Sequence, residues 1–262
     1  MTGCSNMTPD RNDVRDDWIR RQQEHGNRPR AVLMKGLPAR INDSIDQWHR
    51  SVLKLAFSSA KQGRVLDIGC GFGRLADEMP PLRQIPVGID FTPQFCVGFA
   101  ANHGEAVCGN LAYLPFRNGV FSGAYSVTSL MYLDMVHAKH ALADLDRCLA
   151  PGATVLVLEP CREFNSLVRA VLTRKRGERL AMPGFALDEF DDLLPSHWQP
   201  LGAGACSWMT AALPLLALAT RWPRLYRALS SAVLRLDRPR LNGRRAHGRI
   251  SLYRWVACRK PA

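Results

Sequence analysis

Short apolar runs alternate with amphipathic segments through the middle of the chain. Runs rich in Val, Ile and Leu predict buried strands, and apolar residues at helical spacing predict the helices between them. This alternation is typical of a parallel sheet with helices on both faces. We therefore predict an α/β fold with a doubly wound, mostly parallel, seven-stranded sheet. The predicted strands are residues 64–68, 86–90, 106–109, 123–128, 154–159, 199–206 and 250–258.

Polar starts and apolar spacing predict the helices around these strands. One helix begins at Asn42-Asp43-Ser44 and ends at residues 61–63. A short helix follows the first strand and ends at Met79, and another covers residues 92–102. The helix after the fourth strand has four apolar positions on one side, namely Val136, Leu142, Leu145 and Leu149.

Both ends of the chain differ from this regular middle. Residues 1–40 are polar and punctuated by Pro and Gly, which is typical of an arm or lid. About 40 residues separate the last two strands, more than a hairpin needs, and predict an insertion. The expected division is an arm or lid (1–43), a core (44–206), a basic helical insertion (207–249) and a final core strand (250–262).

The positive charge is concentrated at one end. The 262 residues hold 35 Lys+Arg and 23 Asp+Glu, a formal charge of +12. Residues 207–262 contain 12 of the bases and one acid, Asp237, so the remainder has 23 bases and 22 acids. This distribution does not fit a uniformly basic coat for nucleic acid.

Composition also bears on the compartment. The length is ample for a core, and 47% hydrophobic residues exclude disorder for most of the chain. Eight Cys without a CxxC pair fit neither a disulfide framework nor a metal site. No signal peptide is visible.

Residues 203–220 lack charge but contain Pro214 and are short for a span of ~20 residues, so we expect them to be buried or interfacial. We expect a cytoplasmic protein, with membrane association left open.

A glycine-rich loop, Asp67-Ile-Gly-Cys-Gly-Phe-Gly73, directly follows the first predicted strand. Its three glycines let the backbone turn sharply and approach a ligand, and the helix predicted behind them would offer free N–H groups. A GxGxxG dinucleotide motif would need glycine where the chain has Arg74. Asp67 would repel a pyrophosphate and suits a cationic ligand.

The segment VLDIGCGFG resembles the first motif of class I S-adenosylmethionine-dependent methyltransferases, especially the type 11 small-molecule group. Four further segments resemble the motifs of this family in the same order, and the resemblance covers about residues 63–160. They are Asp90 at the end of the second strand, residues 108–116, residues 121–132 and residues 147–153.

The resemblance implies a Rossmann-like methyltransferase fold with an antiparallel last strand and S-adenosylmethionine as the cofactor. Asp90 matches the acid that binds the ribose, and Asn110-Leu111 stand where the family usually has Asp-Ala beside the adenine. Residues 121–132 match the fourth strand and the loop that faces the donor methyl. The residues that we expect to hold the cofactor are Asp67, Gly69, Cys70, Gly71, Gly73, Asp90, Phe91, Asn110, Leu111 and Thr128.

The acceptor site has no comparable signature. Methyl transfer mainly requires close, collinear reactants, and a base is needed only for a hydroxyl or a protonated amine. His137 is a candidate base, or a solvated histidine on a helix. Tyr132 can line the pocket or pack, and Glu159 can face a ligand or cap a turn. Trp18 and residues 35–42 can close over the donor or belong to a disordered tail.

The insertion contains an amphipathic segment after an apolar run (209–219). Such a helix can lie on an anionic membrane, cover a greasy acceptor, grip RNA phosphates or pack as an ordinary surface helix. Arg221, Arg224, Arg227, Arg235 and Arg238 are predicted opposite its apolar stripe. The stripe consists of Trp222, Leu225, Tyr226, Leu229, Val233 and Leu236.

These features predict an enzyme that moves a methyl group from S-adenosylmethionine to a small molecule. Oxygen is favoured over nitrogen or carbon as the atom that is methylated. The acceptor would be a metabolite, a sugar or a lipid-linked intermediate. No nucleic-acid partner is expected, and peripheral membrane contact through residues 208–245 is left open. RNA methylation is an alternative, although Glu159-Pro-Cys differs from the N-P-P-Y/F signature of base-directed relatives. A non-catalytic donor-binding domain is another, against which the glycine loop and Asp90 argue.

Overall fold

A seven-stranded sheet forms the centre of the protein. The computed structural model describes residues 11–34, 37–164, 184–241 and 251–262. The predicted α/β class and the seven-stranded, mostly parallel sheet are confirmed. The strands are β1 (Gly63–Ile68), β2 (Gln84–Asp90), β3 (Ala106–Cys108), β4 (Phe121–Val127), β5 (Leu149–Pro160), β6 (Gln199–Ala205) and β7 (Tyr253–Arg259).

The strand order creates a crevice at the carboxyl ends of the central strands. The order is β3-β2-β1-β4-β5-β7-β6. The pairs from β3 to β5 are parallel, and β7 runs antiparallel to β5 and β6. After β1 the chain winds outward through β2 and β3, then returns to place β4 on the other side of β1. Ligands of open α/β sheets bind at such a reversal point.

Helices cover both faces of this sheet. The helices are α1 (Arg11–His25), α2 (Pro29–Val32), α3 (Ala39–Phe57), α4 (Pro93–His103), α5 (Met135–Cys148), α6 (Leu187–Leu193), α7 (Ser207–Ala219) and α8 (Pro223–Leu236). Successive strand residues alternate between the faces, so Val65 belongs to a core shared with α3, α7 and α8, whereas Leu66 belongs to a core shared with α5 and α6. Trp48 and Val52 anchor α3 in the first of these two cores.

The structure corrects the predicted segment after β1. No α-helix follows the glycine loop; the described chain forms two 3₁₀ turns there, at Ala76–Glu78 and Pro80–Leu82. The positive φ angles of Gly71 and Gly73 interrupt helical geometry, and the prolines of the second turn lack the N–H that a continuing helix needs. The predicted row of free N–H groups at a helix N-terminus is therefore absent from this loop.

Two further predictions are wrong in detail. Helix α3 begins at Ala39, after Pro38, and the Asn42 side chain in its first turn donates to the Met34 carbonyl at 2.9 Å instead of capping a helix. Val136 is 76% exposed, although Leu142, Leu145 and Leu149 are buried as expected.

The predicted arm and insertion fall partly outside the described residues. Residues 1–10 and 35–36 of the arm, and residues 242–250 at the end of the insertion, lie outside them. In the described part of the chain, no helix is both long and apolar enough to cross a membrane.

Candidate functional site

A cavity of about 410 Å³ opens at the crevice between β1, β2 and β4. Nine of the ten residues expected at the cofactor line it. They are Asp67, Gly69, Cys70, Gly71, Asp90, Phe91, Asn110, Leu111 and Thr128. Residues that follow different strands thus meet at one place, because the carboxyl ends of parallel strands share one edge of the sheet.

Gly73, the tenth residue, is not among the lining residues. Its φ is +90°, and a Cβ atom there would overlap the ring of His103 at the end of α4. The third glycine of the loop therefore provides close packing against α4 rather than space for a ligand.

Gly69 brings three loops together. Its N–H donates to the Ile89 carbonyl at 2.8 Å, which ties the glycine loop to the end of β2. Its φ is +71°, and a Cβ atom there would lie 2.5 Å from the Ser129 Cβ in the loop after β4. The approach of these loops requires glycine at this position.

Asp90 ties the loops after β1 and β2 to each other. Its Oδ2 accepts the Gly71 N–H at 3.0 Å, and its Oδ1 accepts the Thr92 N–H at 2.8 Å. Burial raises the pKa of this carboxyl group. Each oxygen can accept a further hydrogen bond from a ligand, so the carboxylate is held in a fixed pose at the cavity wall.

Asp67 lies at the cavity floor. Its Oδ2 accepts the Tyr125 hydroxyl at 2.9 Å, and burial raises the pKa of Asp67 to about 7. Arg74 also lines the cavity, but its guanidinium is paired with Asp46 of α3. The local charge is therefore governed by two buried acids, which favours a ligand with a positive charge.

The loop after β4 forms another wall. Thr128 adopts a φ of +60°, unusual for a β-branched residue, and its N–H donates to the Leu158 carbonyl at 2.8 Å. Glu159 is fully buried and accepts the backbone N–H groups of Ser129, at 3.1 Å, and Leu130, at 2.9 Å. Burial raises the pKa of Glu159 to about 7. The sequence allowed Glu159 either to face a ligand or to cap a turn. The structure supports the cap, since Glu159 is not a lining residue.

Helix α1 covers the cavity. Trp18 lines it, with ring centroids 5.5 Å from Tyr132 and 6.3 Å from Phe95 in edge-on contacts. The Arg21 guanidinium lies 4.4 Å above the Trp18 ring and donates to the Leu33 carbonyl at 2.6 Å. Trp18 is the one aromatic residue among the first 40, which is the signal that marked it.

The candidate base does not reach the cavity. The His137 Nδ1 lies 2.7 Å from both Asp134 carboxylate oxygens at the start of α5, and His137 is not a lining residue. Tyr132, by contrast, does line the cavity. The Cys70 thiol is buried against Gly88, and burial raises its pKa well above the ordinary value, which suits a space-filling role rather than a nucleophilic one.

Several lining residues were missed from the sequence. They include Val14 and Val32 in the arm and Phe95 in α4, where the sequence carries no motif, together with Cys108 at the end of β3 and Leu133 after the loop that follows β4. Apolar residues of this kind look like any others until the fold brings them to the crevice.

Known proteins share this sequence pattern and fold. Residues 66–157 match a family model described as a methyltransferase domain. An O-methyltransferase of Aspergillus sclerotiorum is 30% identical over 117 residues, which cover 41% of this chain and 44% of that protein. The demethylmenaquinone methyltransferase of Thermus thermophilus is 31% identical over 123 residues, or 43% and 54% of the two chains. The chain thus spans about half the length of the curated relatives that it matches.

Solved structures extend the likeness of fold to nearly the whole chain. Geranyl diphosphate C-methyltransferase of Streptomyces coelicolor superposes with a TM-score of 0.55 at 16% identity, covering 97% of this chain and 99% of the other. A putative sarcosine dimethylglycine methyltransferase of Galdieria sulphuraria gives 0.55 at 12% identity, covering 95% and 98%. These findings show that residues 66–157 match a methyltransferase domain and that nearly the whole chain has the fold of known methyltransferases.

Proposed function

We propose that this chain binds S-adenosylmethionine in the cavity and moves its methyl group to an oxygen atom of an apolar small molecule. The observation that carries the proposal is the meeting of Asp67, Gly69 and Asp90 at the strand-reversal point. These residues come from separate motifs and surround one space.

The lining residues fit this donor. Asp90 keeps acceptor capacity on both oxygens, which suits the two ribose hydroxyls. Gly69 and Gly71 leave room for a ligand to approach the backbone. Asn110 and Leu111 would contact the adenine. The Asn110 Oδ1 already accepts the Ala112 N–H at 2.9 Å, which leaves the side-chain NH2 group of Asn110 to face the adenine.

The charge of the cavity also fits. The donor carries a sulfonium and an ammonium group, and Asp67 and Asp90 are the lining carboxylates. Among the described residues, Arg74 is the one arginine that lines the cavity. Because it is paired with Asp46, its positive charge is partly neutralised and repels the donor cation less. Burial of the two acids strengthens their interaction with a bound cation.

The chain contributes to the transfer by holding the reactants. The donor supplies the methyl group, and alignment of two reactants alone can be worth ~7–11 kcal/mol. Thr128, Ser129 and Tyr132 form the wall where the acceptor would meet the methyl group, and Glu159 holds that wall from behind. No histidine of the described residues lines the cavity. We therefore propose an acidic hydroxyl, such as a phenol, which can lose its proton to solvent.

The acceptor is proposed to be apolar because of the side chains that the arm contributes. Val14, Trp18 and Val32 line the cavity together with Leu133. The relatives support this choice: two matched proteins from Aspergillus species are O-methyltransferases, and the Thermus relative is named for demethylmenaquinone, an apolar quinone.

Transfer to carbon is the second candidate. A 24-methylenesterol C-methyltransferase of Arabidopsis thaliana is 30% identical over 112 residues. A carbon acceptor would meet the same donor site and would likewise react without a histidine base from the described residues. The two candidates therefore differ only in the atom that is methylated.

One experiment separates these candidates. The purified protein is incubated with labelled S-adenosylmethionine and a metabolite extract, and the labelled products are identified by mass spectrometry and NMR. We expect the label on an oxygen atom, with formation of S-adenosylhomocysteine. Asp90→Asn is the control and should form much less product, because it binds the donor more weakly. Label on carbon would refute the oxygen assignment alone, whereas failure to bind the donor would refute the whole proposal.

A further inference from the structure

Helices α7 and α8 expose apolar side chains that the core does not use. Among the described residues, twelve large hydrophobic side chains are exposed, and seven of them lie between Trp208 and Leu241. On α7, Trp208 is 56% exposed, Leu215 53% and Leu218 54%. At ~100° per residue these three fall within a quarter of a turn. Scattered exposed residues need no explanation, but a stripe of this kind marks an interaction surface.

Helix α8 carries a second stripe of the same width. Leu225 and Leu236 are 47% and 55% exposed, and Ala228 and Ala232 lie between them on the same side. The predicted apolar stripe is only partly buried. Tyr226 and Val233 at one edge of it face the core, whereas Leu225 and Leu236 at the other edge are exposed.

The two helices form a closed hairpin. The Asp237 carboxylate, just after α8, accepts the N–H of Trp208, at 2.9 Å, and of Met209, at 2.6 Å, in the first turn of α7. At the other end the Trp222 N–H donates to the Ala219 carbonyl at 2.8 Å. The ends of the two helices therefore lie next to each other at both ends of the hairpin.

The hairpin is firmly attached to the core. The Tyr226 hydroxyl lies 2.7 Å from the Ser44 hydroxyl and donates to the Arg40 carbonyl at 2.5 Å. The Trp48 indole N–H donates to the Asp237 carbonyl at 3.0 Å. Because the inner face is held in this way, the outer stripes are a fixed feature of the surface.

Arginines border these apolar stripes. On α8, Arg224 and Arg235 are exposed beside the Leu225–Leu236 stripe and Arg227 is exposed farther round the helix, while Arg221 and Arg238 flank the helix. The single acid of residues 207–241 is Asp237, which is buried in its bonds to α7. The surface is thus both apolar and positively charged.

We propose that the α7–α8 hairpin docks in the plane of an anionic lipid bilayer. Exposed Leu side chains gain free energy by entering the acyl boundary, Trp side chains favour the interface, and arginines attract acidic headgroups. With 13 and 14 residues, the helices are too short to span the bilayer. RNA would satisfy the arginines but would leave the two leucine stripes in water, so the lipid surface is favoured.

The docking surface deepens the proposed function, and its purpose rests on that proposal. An apolar acceptor dissolves in the bilayer, and a hairpin that holds the enzyme at the surface would raise the local concentration of the acceptor. The hairpin also contacts the start of α3, where the Arg40 guanidinium donates to the Thr220 carbonyl at 2.5 Å.

Vesicle binding tests the inference on the full chain. The protein is mixed at low salt with vesicles of phosphatidylcholine, with or without phosphatidylglycerol, and sedimented. We expect binding to the vesicles that contain phosphatidylglycerol, with a blue shift of tryptophan emission, and release at high salt. No sedimentation at low salt would overturn the proposal, as would binding of an RNA oligonucleotide without binding of vesicles.

Two variants and their controls locate the surface. Leu215→Gln with Leu218→Gln should weaken partitioning by about tenfold or more, because two leucines no longer enter the lipid. Arg224→Gln with Arg227→Gln should remove most of the dependence on phosphatidylglycerol. Val97→Gln and Arg117→Gln, at exposed positions elsewhere, should change nothing. Undiminished binding of the leucine variant would contradict the proposal.

Donor binding separates this inference from the proposed function. All of these variants should bind S-adenosylmethionine with wild-type affinity, since none of the altered residues lines the cavity. Vesicle binding without donor binding would support docking and refute the proposed methyl transfer. Donor binding without vesicle binding would refute docking and leave the proposed methyl transfer standing.

Discussion

The Glu159 carboxylate accepts the Leu130 N–H at 2.9 Å and thereby fixes the loop after β4 from the end of β5. The same Oε1 atom accepts the Ser129 N–H, at 3.1 Å, and the Ser126 hydroxyl, at 3.2 Å. Glu159 has no solvent-exposed surface. Its effect on the cavity is therefore indirect: it positions Thr128 and Tyr132, which do line the cavity.

Removal of this carboxylate should destabilise the protein and loosen the loop. Glu159→Ala leaves buried backbone N–H groups without an acceptor, and we expect the free energy of unfolding to fall by about 3 kcal/mol. Glu159→Gln keeps an acceptor oxygen and should cost roughly 1 kcal/mol. Denaturant unfolding measures both. An alanine variant as stable as the wild type would show that the turn does not depend on Glu159.

Donor affinity should depend on pH through Asp67. Its pKa of about 7 means that part of the population is protonated at neutral pH, and a bound cation favours the carboxylate. Affinity for S-adenosylmethionine should therefore rise between about pH 6 and pH 8, with release of a proton on binding. Calorimetry in buffers of different ionisation enthalpy measures that proton. Asp67→Asn should abolish the pH dependence, and a flat profile for the wild type would rule out this coupling.

Two glycines with similar backbone angles should respond differently to alanine. Gly69 and Gly119 have φ values of +71° and +67°. A Cβ atom added at Gly69 would overlap Ser129, whereas a Cβ atom added at Gly119 would have none of the surrounding atoms within 4 Å. Gly119→Ala should cost about 1 kcal/mol of stability from backbone strain and leave donor binding intact. Gly69→Ala should also displace the loop after β4 and weaken donor binding by about tenfold or more. Equal effects of both changes would argue against the close approach at Gly69.

The arm should contribute to donor binding through Trp18. Trp18→Ala removes a ring that lines the cavity and contacts Tyr132, and we expect about tenfold weaker binding of S-adenosylmethionine from the lost apolar contact. Trp18→Phe keeps an aromatic ring and should recover most of the affinity. Trp208→Ala, on the hairpin, is the matched control. Unchanged affinity in Trp18→Ala would eliminate the arm as a lid.

The strands and most of the cavity were predictable because they depend on local sequence. Buried parallel strands are continuous apolar runs, and Asp67 and Asp90 lie at the carboxyl ends of two of them. The turns after β1 were not predictable in this way, since the backbone angles of Gly71 and Gly73 prevent a helix that the apolar spacing favours.

The surface of α8 shows another limit of sequence patterns. Periodicity identifies the apolar positions of a helix but not how many of them a neighbouring element covers. Tyr226 is buried because its hydroxyl reaches Ser44 and Arg40 of α3, whereas Leu225, one residue earlier, has no such neighbour and is exposed. Contacts between distant segments decide this outcome, as they decide that Val32 and Phe95 join the cavity.

Calorimetric titration of the purified chain with S-adenosylmethionine, compared with its Asp90→Asn variant, measures whether the cavity holds the donor through Asp90. Asparagine keeps the shape of the side chain but loses the charge and one acceptor oxygen. We expect saturable binding of one donor per chain, and binding at least about tenfold weaker in the variant because charge-assisted hydrogen bonds are lost. No saturable binding by the wild type, or equally tight binding by the variant, would show that the cavity does not hold the donor in this way.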